Sequence, residues 1–309
     1  MTQSFLGLEI GGTKLQFVVG DESAKIRGRR RFTVERAGGG EAIRRQIQAT
    51  LPELLAATKP RALAVGFGGP VDRATGTIAV SHQIEGWSGF ALRDWLHTLS
   101  GLPVIVENDA NTATLGEARH GAGVGCDPVF YVTLGSGVGG GLVVNGRIYH
   151  GSKPGEAELG HVRLDKQGTI VEHRCSGWAV DGRIRELRAK TPDSVLSRLT
   201  ANAHGGEARF LADALQQDDP LARQILGETA EDLAFALSHV VHLFHSEIVV
   251  LGGGLAFVGE PLRAAVADAL PRFIMDVFKP GPRVALAALG EDAVPVGALV
   301  LARSLESNL

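Results

Sequence analysis

Residues 6–18 read LGLEIGGTKLQFV, and residues 130–144 read FYVTLGSGVGGGLVV. In each, an apolar run enters a glycine turn and a second apolar run leaves it, with no helical pattern directly after. A Walker loop or a dinucleotide fingerprint passes from strand through glycines into a helix, whereas these stretches pass strand–turn–strand. Glycine turns let backbone N–H groups approach an anion closely, because no Cβ stands in the way. Two such hairpins in one chain predict two lobes clamping one polyphosphate.

Working outward, residues 6–34 read as a strand meander with a turn at Gly20-Asp21-Glu22. Residues 41–58 carry Ile43, Ile47, Leu51, Leu54 and Leu55 at helical spacing. An apolar run at 62–67 breaks at Gly68-Gly69-Pro70, a helix is expected at 90–99, and a strand at 102–106 leads into Glu107-Asn108-Asp109. Residues 111–120 read as helix, and the second lobe is expected to begin near Gly121. Its hairpin is followed by a polar, glycine-rich stretch at 146–182, helices over 183–245, a strand at 248–251, a helix at 261–273, a strand at 284–288 and a last helix at 296–305. The order of meander, helix, strand and helix occurs twice. It predicts a duplicated α/β fold with mixed sheets and an interlobe cleft.

The 309 residues are 44% hydrophobic and 21% charged, as in a soluble globular protein. A net charge of −3 argues against nucleic acid as a partner, and no apolar run is long enough for a membrane span. Cys126 and Cys175 are too few for a disulfide framework, so a reducing cytoplasm is the simplest expectation. A strand-like run already under way at Phe5 leaves no room for a signal peptide.

The chain resembles the ROK family (repressor, open reading frame, kinase), in the sugar-kinase and actin-like ATPase (ribonuclease H-like) superfamily. The resemblance rests on six stretches in the family's order: EIGGTK at 9–14, GFGGPVD at 66–72, ENDANTATLGEA at 107–118, TLGSGVGGGLV at 133–143, GEAELGHV at 155–162 and VVLGGG at 249–254. It implies a small N-terminal lobe of residues 1–120, with the C-terminal helix 293–309 packing back on it, and a large lobe of residues 121–292. It implies phosphorylation of a hexose by ATP with Mg²⁺, and a homodimer.

A kinase acting on a sugar hydroxyl needs a carboxylate within hydrogen-bond reach of that hydroxyl. The resemblance makes Asp109 this base, with Asn108 binding the sugar; the residues alone also allow an ordinary helix cap. Glu158 and His161, read as a buried pair, are implied as sugar contacts, and Gly69 lies in the loop implied near the sugar. Ala157 stands where the family has Gly. Gly11, Gly12, Thr13 and Lys14, with Gly135, Ser136 and Gly137, are implied at the ATP phosphates, although Lys14 also reads as a solvated strand charge. Gly252, Gly253 and Gly254 are implied on the adenosine side. Gln83 falls at the family's Asn position before Trp87, and Trp87 itself is expected to anchor its loop in the core.

Two departures stand out. The family's first turn carries Asp, which helps hold Mg²⁺ through water; here it is Glu9, one methylene longer, a shift that an outer-sphere contact tolerates. The family's structural zinc loop is represented by residues 173–182, where only Cys175 of its three cysteines remains. His161, His173 and Cys175 make three ligands at most, and a closed zinc site needs about four, so no metal site is expected there and Trp178 and Val180 are expected to fill the volume. The sugar-binding Glu that ends this loop aligns with Gly182, with Asp181 beside it as a substitute. His239, His242 and His245 read as ordinary helix polars.

Three readings compete. Glucose phosphorylation comes first. An N-acetylhexosamine, fructose or allose kinase, or a catalytically weak sugar-binding protein, is the alternative. A sugar-sensing repressor would need a helix-turn-helix ahead of the first glycine turn, and the strand at Leu6 leaves no place for it. Polyphosphate-using relatives share much of the pattern; the turn at 252–254 favours ATP.

Overall fold

A computed structural model describes residues 3–79, 81, 84–153 and 157–306, excepting the Arg36 side chain. The first sheet is built from β1 (Phe5–Ile10), β2 (Lys14–Gly20), β3 (Ile26–Thr33), β4 (Leu63–Phe67) and, past a small two-stranded ribbon of β5 (Val71–Asp72) and β6 (Thr77–Ile78), β7 (Val104–Asn108). The second is built from β8 (Val129–Leu134), β9 (Val138–Val144), β10 (Arg147–Ile148), β11 (Ile248–Gly252) and β12 (Arg283–Leu286). Their strand orders are β3-β2-β1-β4-β7 and β10-β9-β8-β11-β12, the same pattern twice. In the first sheet β1 pairs antiparallel with β2 and parallel with β4, and β4 pairs parallel with β7. In the second, β8, β11 and β12 run parallel.

The helices are α1 (Gly39–Thr58), α2 (Leu92–Ser100), α3 (Asp109–His120), α4 (Glu172–Cys175), α5 (Gly177–Arg188), α6 (Val195–Leu199), α7 (Leu211–Gln216), α8 (Pro220–Phe244), α9 (Glu260–Ala269) and α10 (Ala293–Ser304). In α1, Ile43, Ile47, Leu51 and Leu54 form the buried stripe that their spacing predicts, and Leu55 packs at its margin. α8 starts where Asp219 accepts from the Ala222 N–H at 2.8 Å and Pro220 takes a first-turn position that needs no N–H. α5 begins inside the stretch read as polar loop, because Ser176 caps it by accepting from Ala179 N–H at 3.1 Å. Among the described residues no helix is long and apolar enough to cross a membrane.

The chain divides into two compact units. One comprises the described residues of 1–121, 141–157 and 291–309, the other those of 122–140 and 158–290. The described residues of 141–157, which the sequence assigns to the large lobe, therefore go with the first unit. The reason is local: β10 packs on α3, and Arg119 donates to the Gly146 carbonyl at 2.7 Å. α10 packs on α3, β1 and β4 in the same unit. The core of this unit gathers Leu6, Leu8, Phe17, Ile47, Leu63, Ile78 and Trp87, all fully or almost fully buried.

Candidate active site

In the first unit three adjacent parallel strands end at one level, since Ile10 is in register with Phe67, and Phe67 with Asn108. The carboxyl ends of parallel strands are where open α/β sheets bind ligands. Gly68 N–H donates to the Ile10 carbonyl at 2.8 Å, which ties the second loop to the first glycine turn. That turn is closed by Gly11 N–H donating to the Lys14 carbonyl at 2.9 Å, and Gly11 and Gly12 are half-exposed. Trp87 is fully buried and lines a small void beneath the turn with Ile10 and Phe67, as an anchor and not a sugar platform. Gln83 lies outside the described residues.

β7 runs into α3 without a connecting loop. The cap is Asn108, whose Oδ1 accepts from Asn111 N–H at 3.1 Å and whose Nδ2 donates to the Gly69 carbonyl at 3.2 Å. Asp109 is thereby the first helical residue and half-exposed. Its Oδ1 accepts from Ala110 N–H at 2.8 Å, and Oδ2 faces the Gly68 backbone.

Glu9 and Lys14 face each other across the first turn. Lys14 Nζ lies 2.9 Å from Glu9 Oε1, and Gln16 Nε2 donates to Glu9 Oε2 at 2.5 Å. Lys14 is therefore an ion-pair partner with only 17% of its side chain exposed, which corrects its reading as a solvated charge. A carboxylate offers about four lone-pair sites, so Glu9 can still accept from metal-bound water. The set fits an outer-sphere Mg²⁺ contact. Direct ligation would require Lys14 to withdraw.

In the second unit several elements converge on Val138. Its N–H donates to Glu172 Oε2 at 3.0 Å. Its carbonyl packs so tightly on Gly160 that a Cβ there would lie 2.2 Å from the oxygen. The 135–137 turn is closed by Gly135 N–H donating to the Gly137 carbonyl at 2.9 Å, and Gly177 N–H, at the start of α5, donates to the Gly135 carbonyl at 2.7 Å. Gly252 is in register with Thr133, so the turn at 252–254 leaves the sheet beside the second hairpin. Leu159 and Gly160 are buried while Glu158 and His161 are exposed. This corrects the expectation of a buried pair: the short 3-10 turn points its two middle residues inward and the flanking polar pair outward.

The stretch at 170–182 brings further corrections. Asp181 is buried, and its carboxylate accepts from Gly206 N–H at 3.0 Å and Ala208 N–H at 2.7 Å. It ties a turn of the second unit, with both carboxylate oxygens taken by backbone donors, where the sequence offered it as a sugar contact. Asp181→Ala is expected to lower the unfolding free energy of this unit by about 1–3 kcal/mol, by leaving those donors unpaired, while the sugar KM stays put; calorimetry beside steady-state kinetics checks both. Trp178 is 56% exposed, because α5 turns Val180, Asp181 and Ile184 inward instead. The loop carboxylate that reaches the glycine hairpin is Glu172, which the sequence reading passed over. Cys175 is fully buried, its Sγ 3.6 Å from the Thr229 carbonyl, and burial pushes its thiol pKa well above the ordinary cysteine range. Among the described residues no group of three or more His, Cys, Asp or Glu side chains is arranged to hold a metal ion. His239 and His245 make ring contacts with Phe235 and Phe278, and His242 Nε2 accepts from Met275 N–H at 3.2 Å.

Residues 5–305 match the model of the ROK family. The chain is 32% identical over 305 residues to a glucokinase of Thermotoga maritima, with 95% of each protein covered. A ROK family glucokinase from Streptomyces griseus, solved in complex with glucose and AMPPNP, superposes with a TM-score of 0.86 at 31% identity, covering 97% of this chain and 99% of that one. A ROK hexokinase from Thermus thermophilus superposes at 0.81 with 27% identity, over 99% of this chain and 100% of the other.

Proposed function

The chain belongs to the ROK family and is a sugar phosphotransferase, and from that premise we propose that it transfers the γ-phosphoryl group of ATP to the terminal hydroxyl of a hexose, glucose first, with Asp109 as general base. Its duplicated sheets are those of the actin-like ATPase fold. The observation that carries the reading is the junction of β7 and α3: Asn108 takes the cap, so the Asp109 carboxylate is held at the strand's carboxyl end beside Gly68.

Asp109 accepts the hydroxyl proton as the sugar oxygen bonds to the γ-phosphorus and the bond to the β–γ bridging oxygen breaks, releasing ADP. Phosphoryl transfer asks the protein mainly for positioning and charge neutralisation. The Gly69 carbonyl and the Asn108 amide are the sugar-orienting groups of the first unit, and Glu158, His161 and Glu172 those of the second. The glycine turns at 11–13 and 135–137 cradle the phosphates, and the turn at 252–254 takes the adenosine side. Mg²⁺, when bound, neutralises phosphate charge, and Glu9 would hold it through water. The homodimer implied by the family resemblance belongs to the same proposal.

Glu172 fills the place left open at Gly182. It is a carboxylate fixed at the hairpin that Gly160, between Glu158 and His161, also packs against. Glu172→Gln is expected to raise the sugar KM about tenfold to a hundredfold, the worth of a hydrogen bond to a charged group, and to leave the ATP KM within about twofold. Unchanged sugar KM would remove Glu172 from the site. The substrate itself is tested by ADP release with Mg·ATP across glucose, mannose, fructose, allose and the N-acetylhexosamines. Highest kcat/KM on glucose is expected. A preference for an N-acetylhexosamine would overturn the glucose assignment and keep the kinase.

A further inference from the structure

Directly behind the proposed base lies a buried carboxylate that the transfer itself does not use. Glu107, the last residue of β7 before Asn108, is 3% exposed. Its Oε1 accepts from Asn108 N–H at 2.9 Å and from Asn111 Nδ2 at 3.1 Å. Its Oε2 lies 2.6 Å from Nε2 of His150, whose side chain is 16% exposed and sits on the segment leaving β10. One carboxylate thus fixes the cap residue and the first turn of α3, and an imidazole from 43 residues away fixes the carboxylate.

We infer that Glu107 and His150 form a positioning couple for Asn108 and Asp109, His150 acting through Glu107 and not on the substrate. The inference rests on the reading of Asp109 as base. A buried carboxylate must keep its hydrogen-bond partners. Deprived of His150, Glu107 has to turn toward water to satisfy Oε2, and Oε1 then leaves Asn108 N–H and Asn111 Nδ2. The strand-to-helix junction loosens, and the base loses its set position. Such displacement is costly: a misplacement of about 1 Å can lower turnover about a hundredfold.

The same segment has a second tie, Lys153 Nζ to Asp72 Oδ1 at 3.0 Å, on the exposed surface. It separates the couple from general anchoring of the segment. His150→Ala is expected to lower kcat about tenfold or more with the ATP KM within about twofold. His150→Gln, whose amide can donate to Glu107, restores most of it, and Lys153→Ala leaves kcat unchanged. Amide hydrogen exchange over residues 110–115 is expected to speed up in His150→Ala and to recover in His150→Gln. Wild-type kcat in His150→Ala overturns the couple while leaving the kinase reading intact, and so does an equal loss in all three variants. If the wild-type protein phosphorylates no sugar, the base reading falls, and exchange still decides the couple: unchanged protection at 110–115 in His150→Ala overturns it.

Discussion

Asp109→Asn is expected to lower kcat about 10²–10⁴-fold, the usual worth of a positioned general base. The substitution keeps the shape and the acceptor for Ala110 N–H, a bond of 2.8 Å in the wild type. It also spares the cap, which belongs to Asn108. Stability should therefore change by well under the cost of a lost cap, about 1 kcal/mol, while proton acceptance disappears. The sugar KM is expected to stay within a few-fold, because Asn108 and Gly69 are untouched. Had Asp109 been only a helix cap, the variant would keep its turnover as well as its stability, because Asn caps a helix as well as Asp does. Thermal melts and steady-state kinetics on one preparation separate the two.

The second large effect is on folding. α3, which carries Asp109, crosses α10 so closely that a Cβ on Gly297 would lie 1.8 Å from the Thr112 carbonyl oxygen. The obstacle is backbone on the neighbouring helix, not a side chain that can rotate aside. Gly297→Ala is expected to destabilise the first unit by about 3 kcal/mol, at the upper end of overpacking costs, and to lower turnover by shifting α3. Gly227, exposed in α8 with open space where a Cβ would go, is the counterpart. There the same substitution should stabilise by about 1 kcal/mol through helix propensity alone. Chemical denaturation of both variants checks the pair. A neutral Gly297→Ala would mean that the helices separate at little cost.

Legibility in the sequence followed the range of the interactions. The strand–turn–strand stretches at 6–18 and 130–144 and the stripe Ile43, Ile47, Leu51, Leu54 are local patterns, and they form the elements expected of them. The duplication expected from the sequence appears as one strand order repeated in the two sheets, while the order itself was not read from the sequence. What escaped is what depends on distant partners. His150 meets Glu107 across 43 residues, and no periodicity connects them. Asp181 looks like a ligand beside a missing glutamate until the turn at 206–208 supplies its donors. Lys14 looks solvated until Glu9 is seen opposite it. Glu158 and His161 fit a buried pair by spacing, and only the 3-10 turn decides which residues face inward. Glu172 meets the Val138 N–H across 34 residues, and no local pattern marks that contact.

The most direct test of the account follows phosphorus nuclear magnetic resonance of Mg·ATP and glucose with the wild-type protein and with Asp109→Asn. The account predicts that a glucose 6-phosphate signal grows in step with ADP for the wild type and stays at background for the variant. ADP appearing with inorganic phosphate and no sugar phosphate, or equal sugar phosphate from both proteins, would contradict it.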